Sequence, residues 1–291
     1  MKTKISVMLV CTMAIALLSA CSIDINGDKL NLGGNISYTG GTNLIEEENF
    51  VQNSDGVKTL EIVNSAGNIN ITRSDSKDVV VKFAKKVKGT DEKTKQEIMD
   101  NIQIKMDKSG DKLSLSARSR DENGSYIWDW ASKLYKSVNV TIDYDIKVPE
   151  GVKIYKVDNN AGNTGFDNIS GEIDIKQNAG QITLTGVSLE GNSSFNMNAG
   201  NINMDAAIDK ADEVKINGTA GNINIKIPSA SKINLETTLT AGNLSGSFLS
   251  GTSIKSGTFK QEINGGGTKL IVTLTAGNVI MTGDTPLPPT N

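Results

Sequence analysis

The sequence predicts an all-β fold: a single-stranded parallel β-helix, or β-solenoid, with coils of about 20 residues and a small helical and aromatic insertion. Three observations predict it. An Ala-Gly pair followed by Asn recurs, as in Ala66-Gly67-Asn68, Ala199-Gly200-Asn201 and Ala220-Gly221-Asn222. The glycines from Gly162 to Gly242 are spaced by 18, 20, 21 and 21 residues. Short runs of alternating apolar and polar residues flank each one, the period of a half-buried strand. A β-sandwich also uses short alternating strands, but it has no reason to repeat one tripeptide at one phase.

In a parallel coil, equal phase means the same corner of every layer. The corners are therefore expected at Gly67, Gly162, Gly180, Gly200, Gly221, Gly242 and Gly277. Ala is small enough for a narrow corner, and Gly reaches the φ that bends the chain. Asn163, Asn201, Asn222, Asn243 and Asn278 follow these glycines and are expected to form an amide ladder along the stack, with Gln181 replacing Asn once. Strict six-residue phasing, expected of a left-handed hexapeptide helix, is absent, which favours the right-handed form.

Taken in order, the chain opens on a processing segment. Lys2 and Lys4 precede an apolar run from Ile5 to Leu18, too short to span a membrane comfortably. The run ends in Leu18-Ser19-Ala20-Cys21, which resembles a bacterial lipobox. The resemblance implies a signal peptide over 1–20 and lipid attachment at Cys21. It places the protein on the extracytoplasmic side of the cell membrane or outer membrane, held there by its N-terminal lipid. Residues 21–56 read as a polar tether, with Gly33-Gly34, Gly40-Gly41 and Glu46-Glu47-Glu48. The solenoid is expected over 57–282.

Inside it, Leu60, Ile62, Ile69 and Ile71 alternate around the first corner, and Val79 to Ala84 forms a further strand. Residues of about 90–136 interrupt the pattern. Thr90 to Asn101 reads as a short helix capped by Thr90. A hairpin follows, Ile102 to Met106 and Leu113 to Ala117, turning at Lys108-Ser109-Gly110-Asp111. Tyr126, Trp128, Trp130 and Tyr135 then cluster, with both tryptophans of the protein. Two readings stand: a platform that binds a glycan, peptide or membrane surface, or a cap over the open end of the solenoid. The cap is preferred, because solenoid ends must be covered. Val138 to Val148 alternates as a long strand that Pro149 ends. The regular array runs from Val152. The 35 residues between Gly242 and Gly277 are expected to hold a coil with a degenerate corner plus a loop. Residues 283–291, with Pro286, Pro288 and Pro289, read as a disordered tail.

Composition excludes several chemistries. The chain has no His, and its only cysteines are Cys11 in the leader and Cys21. Imidazole catalysis, His or Cys metal sites and a disulfide within the mature fold are thereby excluded. No metal or cofactor is expected. With Lys2 and Lys4 removed, 28 basic residues face 33 acidic ones, so nucleic acid is not an expected partner. The acids of the array, among them Glu172 and Asp174, are scattered rather than paired for glycoside chemistry. The Gly265-Gly266-Gly267 run lacks the Lys and helix of a phosphate loop.

Val138-Asn-Val-Thr-Ile-Asp-Tyr-Asp-Ile-Lys-Val-Pro-Glu-Gly-Val152, followed by repeated Ala-Gly-Asn-Ile units, resembles the DUF4097 adhesin-like family of bacterial β-solenoid domains. The resemblance spans about 60–281 and implies a surface or envelope protein with no catalytic residues to carry over. Two functions follow as expectations. One is a non-catalytic surface binding module whose partner is an envelope protein, the cell wall or a glycan. The other is an envelope lipoprotein that serves as spacer or docking scaffold. A polysaccharide-active β-helix enzyme is the least favoured.

Overall fold

A computed structural model describes residues 43–89, 91–121, 124–135, 138–249 and 253–284. The leader, Cys21 and the tail from 285 onward lie outside them. The elements are β1 (Asn43–Asn53), β2 (Thr59–Ala66), β3 (Ile69–Arg73), β4 (Asp78–Lys88), α1 (Glu92–Asn101), β5 (Ile102–Ser109) and β6 (Lys112–Ser119), then α2 (Ile127–Leu134), β7 (Asn139–Val148), β8 (Ile154–Asp167) and β9 (Ser170–Ala220). β10 (Ile223–Ile227), β11 (Ile233–Ser245), β12 (Ile254–Ile263) and β13 (Thr268–Gly283) complete the chain.

The described residues form an all-β parallel stack. β9 alone runs for 51 residues, which would extend roughly 170 Å if straight. It bends back on itself instead. Asn198 Nδ2 reaches Asn178 Oδ1 at 2.7 Å, and Asn217 Nδ2 reaches Asn196 Oδ1 at 2.7 Å, across 20 and 21 residues. β8 and β9 pair in parallel with Gly162 beside Gly180. Each layer has an approach strand before the corner glycine and a leaving strand after it. Inward positions of both are apolar and fully buried, such as Leu60, Ile62, Ile173, Ile175, Ile202 and Ile223. In one layer the approach-strand Tyr155 meets the leaving-strand Phe166 edge-on at 5.6 Å between ring centres.

The order of layers departs from the order of the chain. The approach strand at Glu213–Ala220 pairs with Lys269–Ala276 of β13, and β13 in turn pairs with β11, Gly277 beside Gly242. The final repeat therefore lies between the Gly221 and Gly242 layers. The expectation of a coil with a degenerate corner between 242 and 277 is corrected: that segment is the antiparallel hairpin β11–β12 and a return. Counting periods along the sequence cannot reveal this, because all three corners carry the same Ala-Gly-Asn.

Antiparallel strands close both ends. β12 edges β11. At the other end, β1, β4 and β7 form one antiparallel set that continues through β3, and the β5–β6 hairpin joins β2 in parallel. The stretch around 90–136 is thus part of the stack rather than an appendage. The tether expected up to residue 56 is also corrected over β1. Glu46 and Glu48 resemble a solvated run, but they flank the buried Lys85 ammonium at 2.8 and 2.6 Å. This paired charge fixes β1 on β4. α1 is capped by Asp91, whose Oδ1 accepts the Thr94 N–H at 2.8 Å. The expected cap, Thr90, lies outside the described residues.

Two buried tyrosines differ in a testable way. Tyr155 Oη donates to the Val152 carbonyl at 2.8 Å. Tyr144 Oη has no partner among the described residues. Burial raises both phenols well above their ordinary value. Tyr144→Phe is therefore expected to leave stability unchanged or raise it by up to about 1 kcal/mol, and Tyr155→Phe to lower it by about 1 kcal/mol. Urea titration checks this. Because the folded-state pKa values are raised, the contribution of both phenols is fully present below about pH 10 and declines as pH rises beyond it.

Candidate functional site

The repeated corner is the first place the sequence points to. At three corners the side-chain oxygen of one layer receives the backbone N–H of the next. Asn163 N–H donates to Asn68 Oδ1 at 2.9 Å, Asn222 N–H to Asn201 Oδ1 at 3.0 Å, and Asn278 N–H to Asn222 Oδ1 at 3.1 Å. Asn243 Nδ2 reaches Asn278 Oδ1 at 3.3 Å. The row follows spatial order, with Asn278 between Asn222 and Asn243. Gln181 turns its amide to Thr183 Oγ1 at 2.9 Å. The row begins at Asp143, whose Oδ1 takes the Asn68 N–H at 2.7 Å. These contacts satisfy backbone donors that the bend removes from the ladder.

A second polar row lies inside the corner. Asn64, Asn159 and Gln177 are buried three residues before Gly67, Gly162 and Gly180. Asn159 Nδ2 bonds Thr164 Oγ1 at 3.2 Å, Thr164 Oγ1 donates to Gln177 Oε1 at 2.7 Å, and Gln177 Nε2 reaches the Gly162 carbonyl at 2.8 Å. Sequence reasoning passed over this row. Its signal is the shared phase: the equivalent positions of later layers are apolar, as at Met197, Leu239 and Leu274.

The aromatic cluster is the second place. Tyr126, Trp128, Trp130 and Tyr135 lie in and beside α2, which packs on β6 and β7. Trp128 Nε1 donates to the Val140 carbonyl at 2.8 Å. Trp128, Trp130 and Tyr135 pack against the hydrophobic core, and the Trp130 and Tyr135 ring centres are 5.8 Å apart. Burial, and then Glu97, raises the Tyr135 phenol. The Arg118 guanidinium stacks on Tyr126 at 3.8 Å from the ring centre. All four rings are half-buried.

The outward side of the leaving strands is the third. There Thr183, Asn203, Asn224 and Ile280 stand in one row, and Thr185, Asp205, Lys226 and Thr282 in the next. Together they line a shallow groove of about 290 Å³. Asn224 Nδ2 donates to Asn203 Oδ1 at 2.7 Å. Lys226 Nζ bridges Asp205 at 2.9 Å and Asp284 at 3.0 Å, and these bonds raise its pKa. Ile280 is 40% exposed. Ile280 and Thr282 stand beside Asn224 and Lys226 only because β13 pairs with β10, so the sequence alone does not assemble this groove. Planar amides, an ion pair and one apolar side chain suit hydroxyl-rich or peptide ligands.

Among the described residues, no group of three or more acidic, His or Cys side chains is close enough to hold a metal ion. No helix among them is long and apolar enough to cross a membrane.

A family model, Toastrack DUF4097, matches residues 133–282, just over half of the chain. No curated protein matches the sequence. Among solved structures, a candidate cell adhesion protein from Clostridium sporogenes is 15% identical, with a TM-score of 0.42 over 82% of this chain and 100% of its own. A candidate adhesin from Bacteroides fragilis is 12% identical, with a TM-score of 0.35 over 81% of this chain and 96% of its own. A candidate lipid binding protein from Parabacteroides distasonis is 10% identical, with a TM-score of 0.33 over 84% of this chain and 98% of its own.

Proposed function

Because this chain belongs to the Toastrack DUF4097 family, we propose that it is a non-catalytic binding module of the cell envelope, held by lipid on Cys21 at the extracytoplasmic face of a membrane. Its partner is an envelope protein, the cell wall or a glycan, met through the leaving-strand face. One observation carries this reading. The large aromatic rings pack against the core, while the leaving-strand groove presents Asn203, Asn224 and Ile280 to solvent in a regular array. A surface of fixed, mutually bonded amides binds without paying to order them.

The same ring packing favours a second reading, a spacer or docking scaffold in which the stack itself is the working part. Sedimentation with insoluble bacterial cell wall separates the two. The full chain in detergent is compared with Asn203→Arg/Ile280→Arg, which fills the groove from half-buried Asn203 and exposed Ile280. The groove reading expects unchanged melting and retention on the wall weakened by about ten-fold or more, the effect of losing a central contact. Equal retention by the variant overturns the groove and leaves the scaffold.

A further inference from the structure

We infer that a second groove, on the outward face of the β5–β6 hairpin, binds an acidic saccharide: a sugar polymer bearing carboxylate or phosphate groups. This site stands apart from the leaving-strand groove. It is lined by Gln103, Lys105 and Asp107 of β5 and by Arg118, Arg120 and Asp121 at the end of β6, and it encloses about 650 Å³.

The hairpin register builds it. Gln103 lies opposite Arg118 and Lys105 opposite Ser116, so their side chains share one face. Arg118 is fixed there by three contacts. Its Nε donates to Ser116 Oγ at 3.1 Å, its Nη1 to the Gly124 carbonyl at 3.4 Å, and its plane lies on the Tyr126 ring. The backbone N–H of Arg120 donates to the Asn101 carbonyl at 3.1 Å, which holds the strand end against the start of β5.

Some cations elsewhere on the stack face carboxylates, such as Lys112 on Glu61, Lys86 on Asp143, Lys269 on Glu213 and Lys260 on Glu236. Lys105, Arg118 and Arg120 converge on one groove, and none is in ion-pair contact with a carboxylate among the described residues. Lys105 is the diagonal neighbour of Arg118 in this register, about 7–8 Å away for such positions, and two long side chains at that separation can meet on one anionic group. A pre-positioned guanidinium plane is the fitting donor for a carboxylate or phosphate. The lining is not purely cationic. Asp107, Asp121 and Gln103 offer acceptors that a bare polyanion cannot use and that sugar hydroxyls can. An acidic saccharide uses both sets.

Binding of the full chain in detergent is measured against three polymers: polygalacturonate for carboxylate, dextran phosphate for phosphate, and neutral dextran. At least one of the two acidic polymers is expected to bind, with affinity falling as salt rises. Lys105→Gln/Arg120→Gln, which keeps every contact of Arg118, is expected to weaken that binding about ten-fold or more, in line with the loss of charge-assisted hydrogen bonds. Its melting temperature is expected to stay unchanged. Whichever acidic polymer binds identifies the anion. Binding of neither, equal binding of dextran, or wild-type affinity in the variant overturns the inference. The variant leaves Asn203 and Ile280 intact, so its result is independent of the cell-wall test.

Discussion

Gly221→Ala is expected to prevent the chain from folding. Gly221 has φ of +136°, where an L side chain is strained at any site. Space is the larger obstacle. A methyl group there would lie 2.6 Å from the carbonyl carbon of Gly200, and nearer still to its oxygen. The obstacle is backbone, and it belongs to the neighbouring layer. Relief would require the Gly200 and Gly221 layers to part beyond the spacing of about 4.8 Å that their hydrogen bonds set. Gly277 sits against Gly221 in the same way, 2.7 Å separating its added methyl from the Gly221 carbonyl carbon, so displacement passes along the stack. The expected loss exceeds about 4 kcal/mol, much of the 5–15 kcal/mol that typically holds a domain. Circular dichroism and denaturant titration measure it. Gly151→Ala is the control: nothing lies within 4 Å of its added methyl, and stability is expected to move by less than about 1 kcal/mol. A cooperative transition at the wild-type midpoint for Gly221→Ala would show that the corners are not close-packed as described.

Trp128→Ala with Trp130→Ala is expected to destabilise the protein by about 3–5 kcal/mol. α2 has only eight residues and no side-chain cap at Tyr126, so it cannot persist on its own propensity. It is held by the burial of Ile127 and Ala131 and by the two indoles. Removing Trp128 also strips the Val140 carbonyl of its indole donor, and an unmet buried group costs about 1–3 kcal/mol. The measurement is urea unfolding alongside cell-wall sedimentation. Stability within about 1 kcal/mol of wild type, with retention lost, would reverse the assignment and make the rings a binding platform.

The regular array was legible because its corners carry both a steric demand and a hydrogen-bonding one. Gly and Asn at fixed phase leave a mark in sequence that Leu or Val at a strand position does not. The aromatic cluster was conspicuous for a similar reason: Trp128 and Trp130 stand out in a chain poor in large rings. Three things were not legible. The pairing of Glu46 and Glu48 with Lys85 joins residues nearly 40 positions apart, and three consecutive glutamates look the same in a linker and on a sheet edge. The leaving-strand groove depends on which layers touch, and layers with identical corners are interchangeable to a reader of the sequence. Asp143 heads the amide row from a strand that has no Ala-Gly-Asn.

The placement of β13 has a consequence for biosynthesis. A chain is made from its N-terminus onward. When residues 233–245 emerge, the free edge of the Gly221 layer offers them a partner with the right corner at the right phase. In the finished protein that edge belongs to residues 269–283, which arrive later. β11 must therefore wait, or leave a place it has already taken, until the last strand has emerged. Assembly cannot run as a simple winding from one end, and its closing step tests that nearly the whole chain is present. A product that stops short of residue 268 would have every earlier repeat and still lack the strand that joins its last two layers.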